Sequence, residues 1–123
     1  MAQVLIAEDE AFTALALADV LEDFGHTVRE ASDGAAALRV LESFEPDVLI
    51  TDLMMPNVDG YQLIRRLHDR PGRIIPVILI TAVPEAMLPT DLRYDGYLGK
   101  PVDYRALGAL VERLSDLRED REQ

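Results

Sequence analysis

Five polar side chains follow the apolar runs of this sequence, and their types are those that phosphoryl chemistry uses. In chain order they are Glu8, Asp9, Asp52, Thr81 and Lys100. Three carboxylates held close together repel one another unless a cation lies among them. The chain has no cysteine, and oxygen ligands alone favour Mg²⁺, with Mn²⁺ as an alternative. We therefore expect a divalent cation where these carboxylates meet.

Asp52 is the candidate nucleophile of this group. A carboxylate can attack phosphorus and form an aspartyl phosphate, as in known aspartyl-phosphate intermediates. Catalysis of such a step is mostly positioning and stabilisation of charge. Lys100 would place a positive charge beside a phosphoryl oxygen, and Thr81 would offer a hydroxyl donor. The combination predicts that Asp52 becomes phosphorylated.

Each of these residues alone also has an ordinary structural interpretation. Glu8 and Asp9 could simply cap the first helix, and Thr81 could be an ordinary strand residue. Lys100 precedes a proline and fits a surface turn. The chemical interpretation requires these five side chains to meet at one place. The carboxyl ends of the strands are that place, because the site of an open parallel α/β sheet lies outside them.

Short apolar runs alternate with helical patterns along the whole chain and predict the elements that position these residues. Strands are expected at residues 4–7, 27–30, 47–51 and 75–80 and around 97–98. Strands that are apolar throughout, such as residues 4–7, are covered on both faces, so helices should lie on both sides of a parallel sheet. The predicted fold is a doubly wound, five-stranded α/β domain. The expected helical stripes are Thr13, Ala16, Leu17, Val20, Leu21 and Phe24; Ala37, Leu38, Leu41 and Phe44, ended by Pro46; Leu63, Ile64 and Leu67; and Leu107, Leu110, Val111, Leu114 and Leu117, with Asp103 as N-cap.

The segment between the fourth and fifth strands breaks this alternation. It reads AVPEAMLPTDLRYDG over residues 82–96 and contains Pro84 and Pro89. A proline inside a helix costs about 3 kcal/mol, because it removes a donor and clashes with the preceding turn. The fourth helix should therefore be short or irregular.

Length, charge and composition exclude several classes of function. With 123 residues the chain is one domain, and no apolar run is long enough to span a membrane. The formal net charge of −11 argues against direct nucleic-acid binding, which needs clustered basic residues. No basic leader precedes the first strand, so we expect a cytoplasmic protein without a membrane partner. Residues 119–123 form a charged tail.

Four blocks of this sequence resemble the receiver domain of two-component response regulators. They are Glu8-Asp9, TDLMMPNVDG at 51–60, ITA at 80–82 and YLGKP at 97–101. The resemblance covers essentially the whole chain, residues 1–118, and implies a flavodoxin-like sheet with strand order 2-1-3-4-5. It also implies that Asp52 accepts a phosphoryl group from a histidine kinase or a histidine phosphotransfer protein.

The resemblance assigns further roles by position. Mg²⁺ would be held by Glu8, Asp9, Asp52 and the backbone carbonyl of Met54, while Thr81 and Lys100 would bind phosphoryl oxygens. A switch would combine movement of Thr81 with inward rotation of Tyr97, and would change a protein-interaction face. The peptide bond before Pro101 would be cis.

The sequence departs from the family pattern in two places. The interval from Thr81 to Lys100 is shorter than usual and carries the two prolines, which puts a regular partner-binding helix in doubt. Met54 and Val83 lie two residues after Asp52 and Thr81, where polar side chains could position a hydrolytic water. Both are apolar, so we predict no special acceleration of self-dephosphorylation.

Two alternatives remain beside the phosphoacceptor. One is a receiver-like interaction module that acts without phosphorylation. The other is a Mg²⁺-dependent phosphohydrolase, although such enzymes commonly carry a second Asp where this chain has Met54. His26 and His68 are expected at the surface. The downstream protein partner is not indicated by the sequence.

Overall fold

The chain folds into one five-stranded parallel sheet with helices on both faces. A computed structural model describes the backbone of residues 1–122 and the side chains of residues 1–116. In chain order the elements are β1 (Gln3–Ala7), α1 (Ala11–Asp23), β2 (Thr27–Ala31), α2 (Gly34–Leu41), β3 (Val48–Thr51), α3 (Gly60–Asp69), β4 (Val77–Thr81), a 3₁₀ turn (Glu85–Met87), β5 (Gly96–Gly99) and α4 (Tyr104–Glu122). The strands lie in the order β2-β1-β3-β4-β5, which confirms the predicted fold class.

The central strands divide the core into two layers. Successive side chains of a strand point to opposite faces of the sheet. Leu5, Leu49 and Leu79 therefore pack in the layer with α2 and α3, while Ile50 and Ile78 pack in the layer with α1 and α4. β1, β3 and β4 are buried on both sides, as their continuous apolar runs predict. Because these apolar runs are held in the core, their ends are fixed in position. The polar residues that follow each strand are therefore fixed in position as well.

Side-chain caps begin three of the helices. Asp33 accepts a hydrogen bond from the Ala36 N–H at the start of α2. Asp59 forms a capping box with Gln62 at the start of α3. Asp103 begins α4 as predicted, since its Oδ1 accepts from two backbone N–H groups.

Some sequence predictions of helix length and burial were wrong. α2 ends at Leu41, so Pro46 does not terminate it, and Phe44 packs into the core from the loop that follows. The α1 stripe was also misplaced at its end. Phe24 is 54% exposed, whereas Ala14 and Ala18, which the stripe omitted, are buried. The face of α1 that carries these two small alanines therefore packs against the rest of the protein, in place of the predicted face.

His26 is buried, which corrects its expected surface position. Its Nδ1 accepts a hydrogen bond of 2.9 Å from the Ala2 N–H. Its Nε2 lies 3.4 Å from a carboxylate oxygen of Glu112 on α4. His26 Nε2 makes no hydrogen bond, so the side chain is fixed by the Ala2 N–H and lies at the amino ends of the strands, away from the predicted polar residues. His68, on α3, is partly buried.

The segment between β4 and β5 contains only the short 3₁₀ turn, which confirms the predicted irregular fourth helix. Leu88 and Leu92 are its two buried apolar residues and fill the core in place of a helix face. Further along, α4 continues to Glu122, so residues 119–122 of the charged tail are helical. The side chain of Leu117 and all of Gln123 lie outside the described residues. No helix within the described residues is long and apolar enough to cross a membrane.

Candidate functional site

The carboxyl ends of the strands bring the predicted polar residues to one edge of the sheet. Glu8 and Asp9 follow β1, and Asp52 follows β3, which is hydrogen-bonded to β1. Ligand oxygens of these three residues all lie within 4.8 Å of one another. The Asp52 N–H donates to the Ala7 carbonyl at 3.1 Å, which extends the β1–β3 pairing to the end of both strands. Parallel pairing therefore places the three carboxylates together.

Lys100 reaches the same cluster from the end of β5. Its Nζ lies 2.8 Å from Asp52 Oδ2 and 3.3 Å from Glu8 Oε1. The backbone helps to aim it, because the Lys100 N–H donates to the Thr81 carbonyl at 3.0 Å. The Lys100–Pro101 peptide bond is cis. Lys100 is thus the cation that the structure places between two of the carboxylates.

Burial and charge act against each other at this cluster. Glu8 and Asp52 are 3% and 5% exposed, whereas Asp9 faces solvent. Burial raises the pKa of Glu8, and the Asp52 charge adds to that, while the Glu10 N–H and Lys100 oppose it. Burial acts to lower the pKa of Lys100, but the hydrogen bonds and charges of Asp52 and Glu8 outweigh it, so its pKa is raised. Lys100 is therefore charged at neutral pH.

One buried carboxylate oxygen of the cluster, Glu8 Oε2, retains unused capacity to accept a hydrogen bond. Glu8 Oε2 lies 3.2 Å from Lys100 Nζ but has no well-directed hydrogen bond, although it is buried. Asp52 Oδ1 accepts from the Leu53 and Met54 N–H groups at 2.6 and 3.3 Å, which orients the carboxylate. A buried oxygen without a donor beside two other carboxylates is the arrangement that a hard divalent cation satisfies. The residues present therefore fit Mg²⁺.

A close backbone approach shapes the loop after Asp52. A Cβ on Gly60 would lie 2.0 Å from the Asp52 carbonyl oxygen, so only glycine fits there. The Gly60 N–H donates to the Leu53 carbonyl at 3.0 Å and closes the loop onto the site. Asn57 has a positive φ of 66° and donates through its side chain to Asp33 at 2.7 Å. The loop is thereby fixed to both α3 and the start of α2.

Thr81 and Tyr97 are linked through the backbone of Val83. Thr81 is fully buried at the end of β4, and its Oγ1 lies 3.2 Å from the Val83 N–H, which donates to it. The Tyr97 hydroxyl donates to the Val83 carbonyl at 2.6 Å. From the sequence, Val83 was notable only for its apolar side chain. Its role as a connector uses main-chain groups, which every residue type carries, so no sequence signal could have indicated it.

The family model of the response regulator receiver domain matches residues 4–112. The chain belongs to the response regulator receiver family. The receiver is 35% identical over 118 residues to the response regulator MprA of Mycobacterium ulcerans, which covers 94% of this chain and 49% of MprA. It is 31% identical to the alkaline phosphatase synthesis transcriptional regulatory protein PhoP of Bacillus subtilis, covering 91% of this chain and 48% of PhoP.

Solved structures agree with this assignment. The signal receiver domain of a signal transduction histidine kinase from Syntrophus aciditrophicus superposes on the receiver with a TM-score of 0.87 at 33% identity. The match covers 94% of this chain and 91% of that one. The chain spans about half the length of MprA and PhoP. The similarity therefore concerns the receiver portion of those longer proteins.

Proposed function

We propose that this receiver accepts a phosphoryl group on Asp52, in a Mg²⁺-dependent transfer from a histidine kinase or a histidine phosphotransfer protein. The observation that carries the proposal is the position of Asp52 at a strand end, with the Lys100 ammonium 2.8 Å from its Oδ2. One carboxylate oxygen each of Glu8, Asp9 and Asp52 lie within 4.8 Å of one another as well. The proposed nucleophile, the Lys100 ammonium and the carboxylates that would hold a divalent cation thus share one edge of the sheet.

In the proposed transfer, a carboxylate oxygen of Asp52 forms a bond to phosphorus as the bond from phosphorus to the donor imidazole breaks. The Leu53 and Met54 N–H groups hold the carboxylate in position through Oδ1. Lys100 would exchange part of its contact with Asp52 Oδ2 for a phosphoryl oxygen. Glu8, Asp9, Asp52 and the Met54 carbonyl are the residues that would hold Mg²⁺. The ion, when bound, would neutralise phosphoryl charge during transfer.

Phosphorylation would be transmitted through Thr81 and Tyr97. A phosphoryl oxygen that accepts from the Thr81 hydroxyl would draw it toward Asp52 and away from the Val83 N–H. Because Tyr97 donates to the Val83 carbonyl, a shift of Val83 reaches the aromatic side chain directly. The proposed output is a changed protein-interaction face around β4, β5 and α4. A downstream protein that reads this face is part of the proposal, without direct nucleic-acid or membrane binding.

We infer that the receiver is a signalling domain and catalyses only its own phosphorylation and dephosphorylation. Residues 1–118 would form this domain and residues 119–123 the charged tail. Met54 and Val83 leave self-dephosphorylation unassisted by a polar side chain at those positions. The alternatives are an interaction module that takes no phosphate and a Mg²⁺-dependent phosphohydrolase.

Intact-mass analysis after incubation with acetyl phosphate and MgCl₂ separates these possibilities. We expect a gain of about 80 Da that EDTA prevents and that Asp52→Asn abolishes. Asp19→Asn, which removes an exposed carboxylate on α1, is the matched control and keeps the gain. No gain in the unaltered chain would favour the interaction module. Multiple turnover of a phosphate ester would favour the phosphohydrolase.

A further inference from the structure

Arginines are concentrated on α3 and the loop after it. Residues 60–75 contain four arginines and one acidic residue, Asp69, in a chain whose formal net charge is −11. The arginines are Arg65, Arg66, Arg70 and Arg73, and all four are exposed. Arg93, just before β5, is exposed as well. A local positive surface on so acidic a protein calls for a partner of opposite charge.

A groove lies between the end of α3 and residues 92–95, and we call it the basic groove. It encloses about 710 Å³ and is lined by His68, Arg70, Arg73 and Arg93 among its polar residues. Its apolar lining includes Leu92, which is 7% exposed, and Ile74, which is 72% exposed. A smaller cleft of about 180 Å³ continues it along α3, shares His68 and Arg93, and is lined also by Asp69 and Asp91. Positive charge and apolar surface therefore lie side by side.

The electrostatics of the basic groove are set by its arginines. Asp95 is the acidic residue among the described groups that line it, and its Oδ2 already accepts from the Val77 N–H at 2.8 Å. Burial lowers the pKa of His68, and the Arg93 charge lowers it further, against the opposing effect of Asp95 and Asp69. His68 is therefore a neutral imidazole near pH 7. Arg70 and Arg93 present exposed guanidinium groups that can bind carboxylates in a bidentate manner.

The irregular segment before β5 leaves this side of α3 open. Residues 82–95 contain a single 3₁₀ turn, and their chain is anchored to α3 by the Tyr61 hydroxyl, which donates to Asp91 at 2.5 Å. Leu92 fills the core, but no helix of this segment covers the arginines at the end of α3. The groove is thus a consequence of the two prolines that shorten the fourth helix.

We propose that the basic groove binds an acidic segment of a partner protein, with carboxylates paired to Arg70 and Arg93 and an apolar side chain packed on Ile74 and Leu92. A short segment fits better than a nucleic acid, because a long polyanion would extend beyond the groove onto a surface of net negative charge. The exposed Ile74 favours a peptide, which can bring apolar groups together with acidic ones. The proposal is independent of phosphorylation at Asp52.

The basic groove and the phosphorylation site lie at opposite ends of the sheet. The groove borders Asp95 and the start of β4, whereas Thr81 ends β4 beside Asp52. A strand advances about 3.3 Å per residue, so these ends are separated by roughly 15 Å. A partner bound in the groove would therefore leave Asp52 accessible to its phosphoryl donor.

Selection from a random peptide library on the immobilised chain tests the proposal. We expect the enriched peptides to carry at least two acidic residues and one large apolar residue. Their affinity, measured by fluorescence anisotropy, should fall at least tenfold with Arg70→Gln/Arg93→Gln and also fall as NaCl is raised. The matched control, Arg105→Gln/Arg113→Gln, removes two exposed arginines of α4 and should change affinity less than twofold.

The other outcomes overturn the proposal. They are enrichment of neutral or basic peptides, binding that the groove variant leaves unchanged, and selection that yields no binder. Tighter binding of ATP or single-stranded DNA than of any selected peptide would also reject the acidic segment. So would self-association that Arg70→Gln/Arg93→Gln abolishes. Acetyl phosphate labelling should be unchanged in that variant, so failure here is distinguishable from failure of the proposed phosphorylation.

Discussion

Lys100 is the only lysine of the chain, and its ammonium compensates two buried carboxylates. Its side chain is 21% exposed, while those of Glu8 and Asp52 are 1% and 7% exposed. A charged group that loses its partner away from water is costly, because neither solvent nor protein then satisfies it. The fold must therefore maintain a balance of charge at this site.

Replacement of Lys100 by methionine should destabilise the fold most when divalent cations are removed. In EDTA we expect the free energy of unfolding to fall by about 2 kcal/mol, less than the 3–5 kcal/mol of a fully buried pair. Addition of MgCl₂ should restore part of the loss, because a ligand that binds only the folded state stabilises it. Urea unfolding measures both effects. Arg105→Met is the control, and equal stability of the two variants in EDTA would refute the argument.

At the scale of elements, the segment between β4 and β5 is held by its side chains rather than by helical hydrogen bonds. Leu88 and Leu92 are buried in the core layer of α2 and α3. Met87, in the same segment, is 73% exposed. The stability of this region should therefore depend on two leucines.

Truncation of Leu92 tests this dependence. Leu92→Ala should lower the free energy of unfolding by about 2–4 kcal/mol, because a buried leucine is lost and a cavity remains. Met87→Ala, a matched exposed position, should change it by less than about 0.5 kcal/mol. Denaturant unfolding compares the variants. Similar small effects at both positions would mean that the segment does not pack as the structure shows.

The N-cap of α2 should give the fold a measurable dependence on acid pH. The Ala36 N–H and the Asn57 side chain both donate to Asp33 and hold its pKa below the ordinary value of 3.8. A lowered folded-state pKa contributes stability above the unfolded value, and this contribution disappears as pH falls through the folded-state pKa. Asp33 therefore stabilises the native state at neutral pH and ceases to do so in acid.

Asp33→Ala should lower the melting temperature by a few degrees at pH 7, as expected for loss of an N-cap. The difference from the unaltered chain should shrink as pH falls below the usual range of aspartate. Calorimetry across pH 2.5–7, a range chosen to bracket ordinary aspartate titration, measures it. Asp19→Ala on α1 should show no comparable loss. A difference that stays constant down to the lowest pH would contradict the carboxylate's role.

At the scale of the whole molecule, net charge opposes compactness. Twenty-three acidic residues face twelve basic ones, and five of the arginines lie around α3 and residue 93. The remaining surface is therefore strongly negative, and its self-repulsion is screened over about 10 Å in 0.1 M salt. Packing of the two core layers must exceed this repulsion.

Added salt should accordingly stabilise the receiver. With EDTA present, the melting temperature should rise by several degrees between low ionic strength and about 0.5 M NaCl, because screening weakens the repulsion. Choline chloride should act like NaCl, which distinguishes screening from specific sodium binding. Differential scanning fluorimetry suffices for the comparison. A melting temperature that falls with either salt would show that attractive surface pairs dominate instead.

The layer architecture and the residues at the strand ends could be predicted from residue type and periodicity. Apolar runs such as Val48–Thr51 can be buried only in a sheet covered on both faces, and parallel strands end on one side. Two prolines were enough to predict the irregular fourth helix. These features are local or follow from general rules of topology, so periodicity and residue type suffice to predict them.

The distances within the site and the connections made through the backbone depend on how the folded segments pack together. The 2.8 Å contact of Lys100 with Asp52 joins residues 48 positions apart, and its length depends on how β5 packs beside β4. The Val83 link between Thr81 and Tyr97 uses groups common to every residue, and the burial of His26 depends on contacts with Ala2 and Glu112. The basic groove arises where distant segments leave a gap. Such features exist only after the chain has folded, because they are properties of the space between elements.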